Sequence, residues 1–471
     1  MTTAPWTSWA DALPDPGPAH IVESCADPAE AAVRLARSGL GGSAGEYVVY
    51  ERAGTWTYAA GPAATVTVDA EQVTARCGTR TATQPTSATP LEQVAEALAH
   101  LPHRDWRVHG WAAFELAHLL HPDTGTVGTE PVLHLMVPST EVELTPGKAR
   151  IRTADHRQVA GIAEALASAV QDPAGAAPAD PEALVRSDPA AYLRAVALAV
   201  DDIRAARLHK AVLSRPLPLP EAMAPDLTAT YLAGRRANTP ARSFLLDLGG
   251  WRAAGFSPET VVEVEAGTRR VSTQPLAGTR ARTAERDETA RLRDDLLSDP
   301  KEIHEHAISV RLAVEELTQV CHPGTVAVEE FMTVRERGSV QHLASRVAGQ
   351  LTDGHGPWDA LAALFPAITA TGCPKPAALR AISRYEDEPR GLYAGAVLTA
   401  DADGSLDAAL VLRTVFQRDG RSWLRAGAGI MGQSTPEREW EETCEKLRSV
   451  APHLRLAPAE HLTPAEPVEQ R

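Results

Sequence analysis

The sequence predicts an α+β fold. Two observations carry that class. Strand-patterned runs, such as "EYVVYERAGTWTYAAG" at 46–61 and "TVVEVEAGTRRVSTQPLAG" at 260–278, neighbour helix-patterned runs with little strict strand–helix alternation. The composition is that of a globular chain with a buried core: 471 residues, 44% hydrophobic, 23% charged and 5% aromatic.

In chain order, residues 1–20 are rich in proline and read as a flexible lead. A strand-rich part follows over 21–170, with "ATVTVDA" and "PVLHLMVPSTEVELTPGKARIR" as further strands and "PLEQVAEALAHL" as an amphipathic helix. The segment 171–187, "QDPAGAAPADPEALVRS", has the Ala, Pro and Asp content of a linker. After it, Ser187 or Asp188 caps a helix with Pro189 in its first turn. "KAVLSRPLPLP" reads as a strand ended by prolines. A long helix over 299–320 is capped by Asp299 and opened by Pro300, with Ile303, Ala307, Val310, Val314 and Leu317 as its core stripe. The last helix starts at "STPE", a capping box with Ser434 as cap and Glu437 three later; its stripe is Trp440, Cys444 and Leu447. Residues 458–471 form a tail.

Composition also excludes. A net charge of −15 argues against nucleic acid or an anionic membrane as partner. The five cysteines (Cys25, Cys77, Cys321, Cys373, Cys444) are scattered, without a Cys-x-x-Cys pair, which suits a reducing cytosol. The N-terminus lacks a basic region followed by an apolar run, and no apolar stretch is long enough to span a bilayer, so a cytoplasmic location is expected.

Several residues invite chemistry. Arginine outnumbers lysine 41 to 5, so the persisting Lys148, Lys210, Lys301, Lys375 and Lys446 stand out; unlike arginine, lysine can lose its proton. Lys210 opens an apolar strand, at a rim or facing a pocket. Glu259 follows a Ser-Pro turn between strands. Two Glu-x-x-Glu pairs, Glu302/Glu305 and Glu439/Glu442, each lie off the core stripe of a helix. They are either solvated faces, with Glu442 paired to Lys446, or two halves of an all-oxygen site suited to Mg²⁺. "RAGAGIMG" matches Gly-x-Gly-x-x-Gly at Gly427, Gly429 and Gly432, but no later strand bears a ribose-binding acid. It reads as a tight turn after "SWLRAG", or as backbone open to an anion.

Eight motifs then occur in order: "FSPETV", "QPLAGTR", "DPKEIHEHAISVR", "FMTVRERGSVQHLAS", "LFPAITATGCPK", "PRGLYAGAV", "ALVLRTVF" and "WLRAGAGI…PEREWEETCEK". Together they resemble the chorismate-utilising enzymes, most closely the salicylate synthases, over about 188–457, and more weakly in "WRVHGWAAFEL". The resemblance implies the single large chorismate-binding fold of anthranilate synthase component I, with β-sheets in a sandwich flanked by helices and 188–457 as the catalytic region. Lys210 stands where ammonia-using relatives carry Gln. Ala277 stands where aminodeoxychorismate synthases carry a nucleophilic lysine, and Thr369 where isochorismate-only relatives carry Ala. Gln274, Cys373 and Pro376 depart from the commoner pattern.

From that resemblance, Lys210 is expected to deprotonate the water attacking chorismate C2, and Glu259 to protonate the departing C4 hydroxyl. Mg²⁺ is expected on Glu305 and Glu442, with Glu302 and Glu439 acting through its waters. Gly278, Thr279, Tyr393, Arg413, Gly427 and Lys446 are expected to line the substrate, and His342 and Thr369 to shape the loss of pyruvate. The implied partner is chorismate alone: no glutamine amidotransferase subunit, a monomer, and a product feeding a siderophore or similar metabolite. The alternatives are an isochorismate synthase with little lyase activity and a catalytically silent binder.

Overall fold

The structure, a computed structural model, describes residues 17–24, 26–41, 45–102, 105–168, 177–178 and 180–457. Most of the expected lead, the first part of the expected linker and the 458–471 tail lie outside the described residues. The end of that linker is a short helix, Pro181–Val185, whose cap Asp180 accepts from Ala183 N–H at 2.9 Å.

Two long strands, Thr55–Val68 and Leu133–Thr145, pair antiparallel and form the spine. Over part of their length buried apolar residues alternate with partly exposed polar ones, while Thr140 and Glu141 are buried polar positions in the middle of the second strand. One arm runs from Thr55–Val68 through Tyr47–Arg52, Arg242–Leu248, Trp251–Ser257, Thr414–Arg418 and Arg421–Ile430 to Lys210–Leu219. The other runs from Leu133–Thr145 through Arg107–Ala112, Ala396–Asp401, Leu406–Leu410, Thr260–Val264 and Arg270–Thr273 to Val340–Gln350. Leu276–Ala281 and Ala327–Arg337 also pair with that last strand. The expected sandwich is therefore one antiparallel sheet folded over on itself.

The arms face each other across one core, where Tyr50, Phe244 and Leu246 meet Val262, Trp111 and Leu398. A polar clamp crosses the same gap: Arg242 forks onto the Asp407 carboxylate at 2.8 and 2.7 Å, and the Tyr50 hydroxyl donates to it at 2.5 Å. Helices Pro28–Ser38, Leu227–Ala237 and Pro436–Leu447 cover the back of the first arm through Leu35, Tyr231 and Leu447.

Five local readings change. The strand Lys210–Leu219 continues through Pro216 and Pro218, because beyond Val212 its backbone pairing is to Arg421–Ile430 alone and an edge tolerates proline. Gly427 and Gly429 lie inside the strand Arg421–Ile430 rather than in a turn. The long helix Pro300–Thr318 keeps its Asp299 cap, but Ile303, Ala307 and Val314 are only half-buried, while Glu302, Glu305, His306 and Ser309 are buried. The last helix, Pro436–Leu447, is capped at Thr435, and the Ser434 hydroxyl accepts from Met431 N–H at 2.9 Å. In the same way the helix Ala190–Arg204 begins one residue later than expected, with Pro189 at its cap.

Candidate active site

The free ends of the two arms come together at one cleft. Leu276–Ala281 and Val340–Gln350 from one arm, and Arg421–Ile430 from the other, form its walls. The glutamate-bearing helices Pro300–Thr318 and Pro436–Leu447 close one side. Glu259, Gly278, Thr279, Glu305, His342, Thr369, Tyr393, Arg413, Gly427, Glu442 and Lys446 all line it. Lys210, Glu302 and Glu439 sit one layer behind. Both Glu-x-x-Glu pairs thus face inward, which removes the solvated-face reading.

Lys210 is fully buried. Its ammonium donates to Ser309 Oγ at 3.2 Å and pairs with Glu305 at 3.0 Å. The burial is possible because the first residue of the strand turns its side chain toward the polar face of the long helix.

Glu259 accepts from the Thr369 hydroxyl at 2.5 Å and from Leu276 N–H at 2.6 Å. Burial raises its pKa to about 7, while those two donors, Lys210 and Arg413 pull the other way. A carboxyl that titrates near neutrality suits a general acid. Thr369 itself lies on the turn Ile368–Ala370.

Arg413 has no carboxylate partner among the described residues. Its guanidinium donates to the Arg337 carbonyl at 2.8 Å and to His342 Nε2. Burial, and then Arg337, bring its pKa down to about 9. It also occupies the left-handed region at φ 52°, a conformation costing about 1–3 kcal/mol for a side chain of this size. With Nε2 accepting from Arg413, His342 carries its proton on Nδ1, which points at Thr279 Oγ1 at 3.1 Å and the Gly278 carbonyl at 3.3 Å. Burial and the Arg413 charge keep this ring neutral.

The four helix glutamates each meet a cation or donor. Glu302 accepts from Thr279 N–H at 3.1 Å and Arg280 at 3.0 Å. Glu439 accepts from Lys301 at 2.9 Å, and Glu442 from Lys446 at 2.8 Å. Lys446 also donates to the Gly427 carbonyl at 2.8 Å. Burial, Glu442 and Glu305 push Glu302 up; burial and Glu442 do the same to Glu439. Glu442, against its own desolvation, is held down by Lys446 and Lys301. Among the described residues, no three His, Cys, Asp or Glu side chains stand in metal-ligand geometry. The donor set is nevertheless all oxygen, mutually repelling, and includes the buried Glu439 Oε2, which has no hydrogen-bond partner.

Close approach explains the glycines. A Cβ on Gly427 would lie 2.6 Å from the Leu213 carbonyl and 3.0 Å from the Tyr393 hydroxyl. One on Gly429 would lie 2.2 Å from Glu305 Oε1. Gly278 has φ 82°, and its Cβ would meet Glu302 at 3.3 Å. Sequence reasoning did not place Gly429, Ser309, Arg280 or Lys301 in the site. Lys301 carried a signal in the scarcity of lysine, and Gly429 one in the close spacing of the glycines.

Against this geometry stand the known proteins. Residues 45–452 match the family described as chorismate binding enzyme. The chain belongs to that family. It is 44% identical to the salicylate synthase of Mycolicibacterium paratuberculosis over 93% of this chain and 95% of that one. The fold is similar to that of anthranilate synthase component I from Streptococcus pneumoniae, with TM-score 0.70, 25% identity, and 85% of this chain and 92% of that chain covered. It is also similar to the menaquinone-specific isochorismate synthase of Escherichia coli, with TM-score 0.67, 22% identity, and 93% and 95% covered. Within this family of chorismate-binding enzymes, the chain's cleft lies where its most motif-dense region, 256–446, converges.

Proposed function

We propose that this chorismate-binding enzyme is a salicylate synthase, converting chorismate through isochorismate to salicylate and pyruvate. The observation that carries the reading is one cleft lined by a near-neutral carboxyl, Glu259, and an arginine without a carboxylate partner, Arg413, with the buried Lys210 directly behind the cleft-lining Glu305. Similarity to a salicylate synthase, at 44% identity over nearly the whole of both chains, supports the same assignment.

Lys210, in its neutral form, takes a proton from the water that adds at C2. Glu259 gives its proton to the hydroxyl leaving C4, so one water enters and one leaves. The Arg413 guanidinium, lacking an internal carboxylate, binds the enolpyruvyl carboxylate, and His342 fixes that guanidinium from behind. Thr279, Gly278, Gly427, Tyr393 and Lys446 bound the ring. Loss of pyruvate is then a pericyclic step that depends on orientation, supplied by His342, Arg413 and Thr369. Glu302, Glu305, Glu439 and Glu442 would hold Mg²⁺, which when bound supplies positive charge for the ring carboxylate. Glu305 and Glu442, the two that line the cleft, are the direct ligands in this reading. Lysine at 210 favours water over ammonia, so the enzyme works without an amidotransferase subunit, as a cytosolic monomer whose salicylate serves siderophore synthesis.

Incubation with chorismate and Mg²⁺, followed by chromatography, tests the reading. Salicylate and pyruvate in equal amounts are expected. Stable isochorismate without pyruvate would assign the enzyme to isochorismate synthases instead.

A further inference from the structure

Behind the Tyr393 wall of the cleft lies a buried charge cluster, of which Arg425 reaches the cleft lining while Glu386 and Arg390 do not. We propose that its carboxylate, Glu386, is a positioning residue for the proposed reaction, holding the Lys210 strand, the Thr369 turn and the Tyr393 wall in one register. The proposal rests on the reading above.

Glu386 follows the helix Lys375–Tyr385, and its side chain is 4% exposed. It accepts from Ser214 N–H at 2.8 Å and Ser214 Oγ at 3.0 Å. It also accepts from Arg390 at 2.5 and 3.0 Å and from Arg425 at 2.6 Å. Against the desolvation of its burial, the two arginines hold it ionised. A carboxylate with five donors from three segments is a rigid hub.

Each spoke ends at the site. Arg390 donates to the Val212 carbonyl at 2.6 Å, two residues along the strand from Lys210. It donates to the Ala370 carbonyl at 2.8 Å, next to Thr369, whose hydroxyl rests on Glu259. The Arg390 and Arg425 guanidiniums lie 5.8 and 5.7 Å from the Tyr393 ring centre. Ser214 backs Gly427, since a Cβ there would meet the Ser214 Cβ at 3.0 Å. One buried charge thereby ties the base-bearing strand, the turn that supports the acid, and two substrate-lining positions. A simple brace between helix and sheet would need only one of these links.

The test is Glu386→Gln, which keeps size and removes charge. The expected result is a fall in kcat for chorismate consumption of about tenfold to a hundredfold with little change in KM, because misplaced reacting groups slow chemistry more than binding. The alkaline limb of the kcat/KM profile should also move to higher pH, as the loosened Ala370 carbonyl frees Thr369 from Glu259. The charges facing Glu259 are Lys210, Arg413 and Arg337, and none of them contacts Glu386, so a direct charge effect does not account for the shift. Glu386→Asp should restore part of kcat. If Glu386→Gln does not fold, as judged by circular dichroism, Ser214→Ala removes the hydroxyl shared by Glu386 and Arg425 and should give the same limb shift with a smaller loss. A folded variant with lower thermal stability but wild-type kcat and limb overturns the proposal. Wild-type protein that consumes no chorismate refutes the functional reading instead.

Discussion

Replacing Thr369 by Ala removes a single hydroxyl, the one that donates to Glu259 Oε1 at 2.5 Å. A hydrogen bond to a charged, buried acceptor contributes about 1.5–3 kcal/mol, and part of it is recovered when the cleft's water takes its place. A net loss of about 1.4 kcal/mol for the ionised form corresponds to one pKa unit. Glu259, now at about 7, should then move up toward 8. The sign follows from its proposed role: an acid works while protonated, so wild-type kcat/KM should fall as pH rises through about 7 and the variant's fall should come later. The assay is chorismate consumption from pH 6 to 9, run with salicylate fluorescence and a coupled pyruvate readout on the same samples. Loss of the hydroxyl should also slow elimination more than water addition, so isochorismate should accumulate. An alkaline limb that does not move refutes the link between Thr369 and the acid.

The other consequences are of the same kind. Glu259→Gln should abolish turnover yet stabilise the fold at pH 8: the buried carboxyl binds its proton more tightly folded than unfolded, so its contribution is present below about 4.5 and lost as pH rises through about 7, about 3 kcal/mol in all, readable by urea melts at pH 5 and 8. Gly429→Ala should cost about 1–3 kcal/mol and most of the activity, because the new methyl falls on Glu305 at 2.2 Å; wild-type activity with an unchanged melt would contradict the packing. Glu442→Gln, and EDTA reversibly, should remove turnover while circular dichroism stays native; full activity in EDTA would end the metal assignment.

The sequence made some of this site legible and hid the rest for physical reasons. Local spacing displayed the glutamate pairs, since residues three apart share a helix face, and the apolar run around Lys210 marked that lysine as misplaced. It did not show which face was inside. Apolar periodicity marked Ile303, Ala307 and Val314 as core, whereas the buried face of that helix carries Glu302, Glu305 and His306, because a cleft can bury polar groups that have partners. Those partners are remote in sequence: Lys301 and Glu439 are 138 residues apart, Lys210 and Ser309 99, and Thr369 and Glu259 110. No local pattern encodes such pairs, and the motif resemblance supplied residue identities without their contacts. The strand-rich class was equally legible, while the joining of both arms into one sheet depends on the Thr55–Val68 and Leu133–Thr145 ladder, whose register pairs residues as remote as Trp56 and Leu144.

The most direct test of the central claim is the product balance of the wild-type enzyme given chorismate and Mg²⁺. One salicylate and one pyruvate are expected for each chorismate consumed, with isochorismate only transient. Isochorismate accumulating without pyruvate, or chorismate left untouched, would contradict that claim.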